Sequence, residues 1–172
     1  MIFVTVGTHE QPFDRLIQYI DGLKEDGTIQ EDIILQTGYS VYEPKHCKWE
    51  RFFPYSAMGA YIHDARIIVT HGGPSSFIPA LQIGKIPVVV PRQKKFGEHV
   101  NDHQVKFCNA VARRDKNLIV VENISDLKRV LLQYDSIIAD MSATPKSHNT
   151  QFNHAFLAII DELFPQKESV HA

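Results

Sequence analysis

The chain has 172 residues, 44% hydrophobic and 22% charged, the make-up of one globular domain rather than of a collagen-like, disordered or multi-domain protein. Eighteen Lys and Arg stand against 20 Asp and Glu, a net charge of -2 with histidine neutral, so the basic field of a nucleic-acid binder is missing and no nucleic-acid partner is expected. No apolar run reaches the roughly 18 residues of a membrane helix, Met1-Ile-Phe-Val-Thr-Val lacks the flanks of a signal peptide, and Cys47 and Cys108 form no CxxC pair, so a cytoplasmic chain with neutral thiols is expected.

Short runs rich in Val and Ile recur at Ile2–Val6, Ile33–Gln36, Ile67–Thr70, Pro87–Val90 and Leu118–Val121, the pattern of strands buried on both faces of a parallel sheet. Between them apolar residues fall at helical spacing. Phe13, Leu16, Ile17, Ile20 and Leu23 follow the first run; Met58, Tyr61 and Ile62 precede the third; Phe77, Ile78 and Leu81 follow it. Val105, Cys108 and Val111 come before the fifth, and Ile124, Leu127, Val130 and Leu131 after it. This alternation predicts a Rossmann-like, doubly wound α/β domain over residues 1–135. Residues 136–172 then form a second segment, in which the polar stretch 142–150 reads as a linker. Beyond it Phe152, Ala155, Phe156, Ile159, Ile160, Leu163 and Phe164 predict a C-terminal amphipathic helix that packs on its own domain or docks a partner.

Ligands of such sheets bind beyond the carboxyl ends of the strands. Here those ends carry Gly7-Thr8-His9-Glu10-Gln11, Thr37-Gly38-Tyr39-Ser40, His71-Gly72-Gly73-Pro74-Ser75-Ser76 and the stretch Arg92 to His99, a polar rim punctuated by glycine. Gly72 and Gly73 let the backbone approach a ligand closely, and Pro74 sits in a first helical turn where its missing N–H is not needed. Ser75 and Ser76 add hydroxyls beside free amides at the positive end of the helix dipole, a site that suits a diphosphate. The same residues also suit a tight βα turn with serine capping and nothing bound. His71, at a strand's carboxyl end, points into the crevice and favours the ligand site. Neither a Walker A loop nor a Gly-x-Gly-x-x-Gly fingerprint is present, since Gly7 is followed by Thr-His-Glu-Gln-Pro; ATPase and NAD-dehydrogenase readings lose their support. His9 or Glu10, in the loop after the first strand, is a candidate general base, and Arg92, directly after a strand, a candidate phosphate contact. Glu98, His99, Asp102 and His103 also admit a metal-ligand reading, with His99 and His103 at i, i+4, but no convergent further ligand supports it and no metal is expected.

Several motifs follow one another in a specific order: Phe3-Val-Thr-Val-Gly-Thr8, Pro12-Phe-Asp-Arg-Leu16, His71-Gly-Gly-Pro-Ser-Ser76, Ala80-Leu-x-x-Gly84-Lys-x-Pro87, Val90-Pro-Arg92 and Phe96-Gly-Glu-His-Val-Asn-Asp-His-Gln104. Through them residues 1 to about 135 resemble the glycosyltransferase family 28 C-terminal domain, the donor-binding half of GT-B glycosyltransferases. The likeness is to the small catalytic subunits of two-chain UDP-sugar transferases, in bacterial capsule and exopolysaccharide synthesis and in the dolichol pathway. It implies a nucleotide diphosphate against Gly72, Gly73, Ser75 and Ser76 with His71 beside it, base and ribose along the neighbouring strand ends that carry Gly7 and Thr8, and the sugar near His103 and Gln104. Where related transferases often carry a ribose-binding glutamate, this chain has Pro79, so that either another group such as Glu98 takes that contact or donor affinity is reduced.

The implied activity is that of an inverting hexosyltransferase that moves galactose, glucose or N-acetylglucosamine from a UDP-sugar to a lipid-linked saccharide, with His71 and less strongly His9 in the catalytic set and no cofactor. One Rossmann-like half supplies only the donor side. The resemblance therefore implies a membrane-associated, acceptor-binding partner subunit that holds this chain at the inner face of the membrane, with self-association open when the partner is absent. A non-catalytic enhancer of a partner transferase is the alternative, kept open by Pro79.

Overall fold

The computed structural model describes residues 1–141. Six strands, β1 (Ile2–Thr5), β2 (Ile33–Gln36), β3 (Lys48–Glu50), β4 (Ile67–His71), β5 (Val88–Val90) and β6 (Ile119–Val120), form one sheet in the order β3-β2-β1-β4-β5-β6. Every pairing is parallel. Helices α1 (Asp14–Glu25), α2 (Tyr55–Asp64), α3 (Pro74–Gln82), α4 (His103–Asp115), α5 (Asp126–Leu132) and α6 (Tyr134–Ala139) cover the sheet. The predicted Rossmann-like architecture is present, and its strand order reverses between β1 and β4, the place where doubly wound sheets open a crevice.

Each central strand is buried on both faces, which is why it reads as a continuous apolar run. Ile2, Val4 and Val6 pack with Leu16, Ile17 and Ile20 of α1 and Leu127 of α5. Phe3, in register with Ile34 and Ile68, faces the other way onto Ile62 of α2 and Ala80 of α3. Phe77, Val89, Cys108 and Leu118 complete that second layer under α4.

β3 departs from the five predicted strands. It is a three-residue edge strand whose Lys48 and Glu50 are exposed, so no apolar run marks it. Its position comes from α1 instead. Asp14 accepts the Val41 and Tyr42 amides at 2.9 and 3.0 Å, and Asp21, two turns further, accepts the Lys45 and His46 amides at 2.9 and 2.8 Å and the Tyr42 hydroxyl at 2.8 Å. Burial works against the Asp21 charge, but the bonds from Lys45, His46 and Tyr42 outweigh it and hold the carboxyl below its usual range. Two carboxylates on one helix thus gather the loop that delivers β3 to the sheet edge.

Burial pushes the Cys47 thiol up to about 12 and the Cys108 thiol up to about 11, so both stay protonated. The boundary expected at residue 135 falls within α6, whose Tyr134 hydroxyl donates to the Ile86 carbonyl at 2.7 Å. The predicted linker over 142–150 and the amphipathic helix beyond it lie outside the described residues. Among the described residues no helix is long and apolar enough to cross a membrane.

Candidate functional site

A cavity of about 580 Å³ opens at the carboxyl ends of β1, β2 and β4. Its floor follows from the register of the sheet. The apolar row Ile34, Phe3, Ile68 is continued two residues later by Gln36, Thr5 and Thr70, so the face that carries core becomes polar where the strands end. The Thr5 hydroxyl oxygen accepts the Gly7 amide at 3.2 Å and the Gln36 side-chain amide at 3.1 Å, and the Gln36 side-chain Oε1 accepts the Phe53 amide at 3.2 Å. Tyr55, Met58, Gly59 and Ile62 of α2 form one wall, Gly7, Thr8, His9 and His99 another, and His71, Ser75, Ser76, Pro79 and Gln104 the end beneath α3.

His71 is held by the two glycines that flank it in space. A Cβ on Gly7 would stand 2.3 Å from the His71 Nε2, and one on Gly73 2.3 Å from its Cε1, while Gly7 also has a φ of +73°. The Gly73 amide donates to Nδ1 at 3.0 Å, which fixes the proton on Nε2; that N–H donates to the Ser76 hydroxyl oxygen at 2.6 Å. The Ser76 hydrogen is then turned outward as a donor. Burial, with the Arg92 guanidinium behind the ring, pushes His71 down to about 4, so the imidazole is neutral at physiological pH.

The Gly72 amide donates to Gln104 Oε1 at 3.1 Å, and the same oxygen accepts the Arg92 amide at 3.1 Å. A Cβ on Gly72 would lie 2.9 Å from the Gln104 Cβ and 3.0 Å from the Cys108 Sγ. Both amides of the Gly72–Gly73 pair are therefore committed inside the protein, and what these glycines supply is room. The Ser76 amide turns back to the Gly73 carbonyl at 3.0 Å and Pro74 has no N–H, which leaves the Ser75 amide and the two serine hydroxyls at the positive end of α3 to meet an anion.

Two residues expected to touch a ligand are turned elsewhere. Arg92, fully buried, donates to the carbonyls of Gln11 at 2.7 Å, Pro12 and Glu98 at 3.2 Å each, and Val6 at 2.9 Å, with its guanidinium 4.8 Å from the Phe13 ring centre. It ties the β1–α1 loop to the loop after β5 instead of reaching a phosphate. Glu98, 3% exposed, pairs through both oxygens with Arg15 at 2.7 and 2.9 Å and accepts the Gln93 amide at 2.9 Å, so it is not free to replace a ribose-binding glutamate. His103 starts α4, is exposed, and lies outside the cavity lining, whereas Gln104 next to it lines the cavity. His9 is half-buried on the wall, its Nε2 3.0 Å from the Gln11 side-chain oxygen and its ring stacked on His99 at 4.8 Å between centres. Sequence reasoning placed Met58 and Ile62 on a helix but did not read them as a wall, because helical periodicity does not tell core from cavity, and it missed the floor, for which the switch from apolar to polar at the last position of each strand is the available signal.

The family model described as the glycosyltransferase family 28 C-terminal domain matches residues 1–162. The chain belongs to this family. Among solved structures, the glycotransferase of kitacinnamycin is similar, with a TM-score of 0.59 and 17% identity over 78% of this chain and 34% of that one. The glycosyltransferase SnogD from Streptomyces nogalater matches with a TM-score of 0.45 and 16% identity, over 90% of this chain and 43% of that one. The chain thus spans about a third of the length of the first of these enzymes, and the likeness shows a shared Rossmann-like fold. No curated protein matches.

In this family 28 domain Pro79 sits inside α3 and on the cavity wall. A proline there removes the N–H that would bond the Ser75 carbonyl four residues back, at a cost of about 3 kcal/mol in an ordinary helix interior. The proline falls in the helix whose first turn carries Ser75 and Ser76 to the cavity.

Proposed function

We propose that the chain binds a UDP-sugar in this cavity and is the donor-binding, catalytic subunit of an inverting hexosyltransferase. The observation that carries the reading is the assembly of His71, Ser75 and Ser76 at the positive end of α3, opposite the Gly7–Thr8 loop, in a cavity whose other wall is the apolar face of α2. Anion and base need such opposed surroundings, and a nucleoside diphosphate spans both. The Ser75 amide and the Ser75 and Ser76 hydroxyls bind the diphosphate. Neutral His71 orients the Ser76 hydroxyl, so that the hydrogen bond strengthens as negative charge grows on the departing UDP.

The acceptor half comes from a membrane-associated partner subunit, which presents a lipid-linked saccharide in capsule or exopolysaccharide synthesis and brings the general base; His9 is the candidate base on this chain. The transferred sugar is galactose, glucose or N-acetylglucosamine, and no cofactor is required. A second reading, a non-catalytic enhancer, rests on Pro79 inside α3.

Isothermal titration with UDP, UDP-galactose, UDP-N-acetylglucosamine and ADP in chelator tests the donor reading. Uridine-selective binding weakened at least tenfold by Ser76→Ala is the expected result; absence of binding by both the chain and its co-expressed partner complex overturns it. Full transfer by a partner complex carrying His71→Gln would select the enhancer.

A further inference from the structure

Among the described residues, a cavity offered to a diphosphate has no permanent charge on its walls: none of the fifteen that line it is Asp, Glu, Lys or Arg. Arg92 lies behind it, buried and spent on four backbone carbonyls, and His71 has both ring nitrogens committed within the protein. What remains are His9 and His99, both half-buried, both on the cavity wall, their rings stacked at 4.8 Å and 22°. His103 meets the His99 ring edge-on at 4.5 Å from outside the cavity. We infer that His99, stacked on His9, takes up a proton when the diphosphate of the donor enters, supplies the cavity's positive charge and stabilises the departing nucleoside diphosphate.

This inference rests on the UDP-sugar reading and deepens it. In the empty cavity the surroundings of His99 oppose a charge on its ring. His71 faces it from β4, Arg92 from behind β5 and His103 from α4; Glu98, the neighbour of His99, is tied to Arg15, and Glu10 beside His9 is exposed. Burial first, then His103, His9 and Arg92, hold His99 below its ordinary value. A ligand carrying two negative charges reverses that balance, because attraction to the diphosphate favours the imidazolium that the protein alone disfavours. The proton comes from solvent on binding and returns to solvent when UDP leaves. Among the described residues no group of three or more His, Cys, Asp or Glu side chains is placed to hold a metal ion.

The test uses the full chain with its partner and the UDP-sugar that binds. A diphosphate diester has no group that titrates between about pH 6 and 8, so any proton exchanged belongs to the protein. Affinity is expected to weaken as pH rises, by up to about tenfold per unit for one linked proton, and binding heats in Pipes and in Tris at one pH should differ by the uptake of that proton. His9→Gln with His99→Gln should abolish both effects and weaken binding at pH 6. His99→Arg should restore tight, pH-independent binding at pH 8, which a structural role for His99 does not explain. Equal heats and a flat profile in the wild type, or a slope that persists in the double variant, overturn the inference. Should the double variant misfold by circular dichroism, an unchanged pH slope in His99→Arg overturns it equally. A wild-type complex that binds no UDP-sugar at any pH instead removes the donor reading, and the role of His99 with it.

Discussion

The two ends of the sheet treat charge in opposite ways. At the amino end, before β1, β2 and β4, fixed charges meet each other: Glu31 pairs with Arg66 and with the Met1 ammonium at 3.0 Å, Arg66 reaches Asp135 at 2.8 Å, and the Lys85 ammonium caps the carbonyls of Ile62, His63 and Ala65. At the carboxyl end Arg92, among the described residues the one buried cation, is sealed behind the cavity, and the cavity itself is lined by hydroxyls, amides and imidazoles and by the apolar side chains of α2. One end is closed and satisfied; the other leaves its electrostatic demand for a ligand to meet. Substitutions at the carboxyl end should therefore be costly to stability and binding together, and those at the amino end cheap.

The largest effect is expected from Arg92→Met. It leaves the carbonyls of Val6, Gln11, Pro12 and Glu98 without their donor and the Arg15–Glu98 pair without a neighbouring cation, a loss of about 3–5 kcal/mol by urea denaturation. Gly7→Ala comes next. A left-handed conformation costs a side chain about 1–2 kcal/mol and forced overpacking about 1–3 kcal/mol more; since the new Cβ must displace the His71 ring, nucleotide binding in a titration should be lost with the stability.

These two residues also show what the sequence discloses. The Val- and Ile-rich runs mark β1, β2, β4 and β5 because both faces are buried, and His71-Gly72-Gly73 is conspicuous because few other needs put two glycines between a strand and a helix. Arg92 and Glu98 were legible as polar residues at a strand end but not in direction: a guanidinium aimed at a phosphate and one aimed at four carbonyls look alike in one dimension. The difference is made by the Gly7–Pro12 loop folding back over β5, a long-range contact that no local pattern encodes. β3 was missed for the converse reason, since a short polar edge lacks the periodicity that burial imposes, while Met58 and Ile62 of α2 were legible as helical but not as facing a cavity.

Acid titration sharpens the contrast, because the two ends respond in separate pH windows. His71 is held neutral, with its value down at about 4 against an ordinary 6.5, so the unfolded chain binds a proton first and stability falls as pH drops from about 6.5 to 4, by at most about 3 kcal/mol. Glu31 is held down to about 2, chiefly by Arg66, so its contribution, present above about 4.5, disappears only as pH falls from there to 2. Urea midpoints followed against pH should show the upper step vanish in His71→Gln and the lower step vanish in Glu31→Gln. One merged step in either variant would mean that the two ends are not separately responsible.

Asp135→Asn should do least. Its carboxylate is 74% exposed and holds Arg66 through one bond, while Glu31 already engages the same guanidinium through its Nε and Nη2. Solvent screens such a pair, and an exposed ion pair contributes about 0.2–1 kcal/mol; with Arg66 still partnered by Glu31, under about 0.5 kcal/mol is expected by urea denaturation at low salt, and less at high salt. UDP-sugar affinity should not change, since Arg66 and Asp135 sit at the closed end of the sheet. A larger loss of stability, or any loss of binding, would mean that charge at the closed end acts through the sheet on the open one, and that the division drawn between them is wrong.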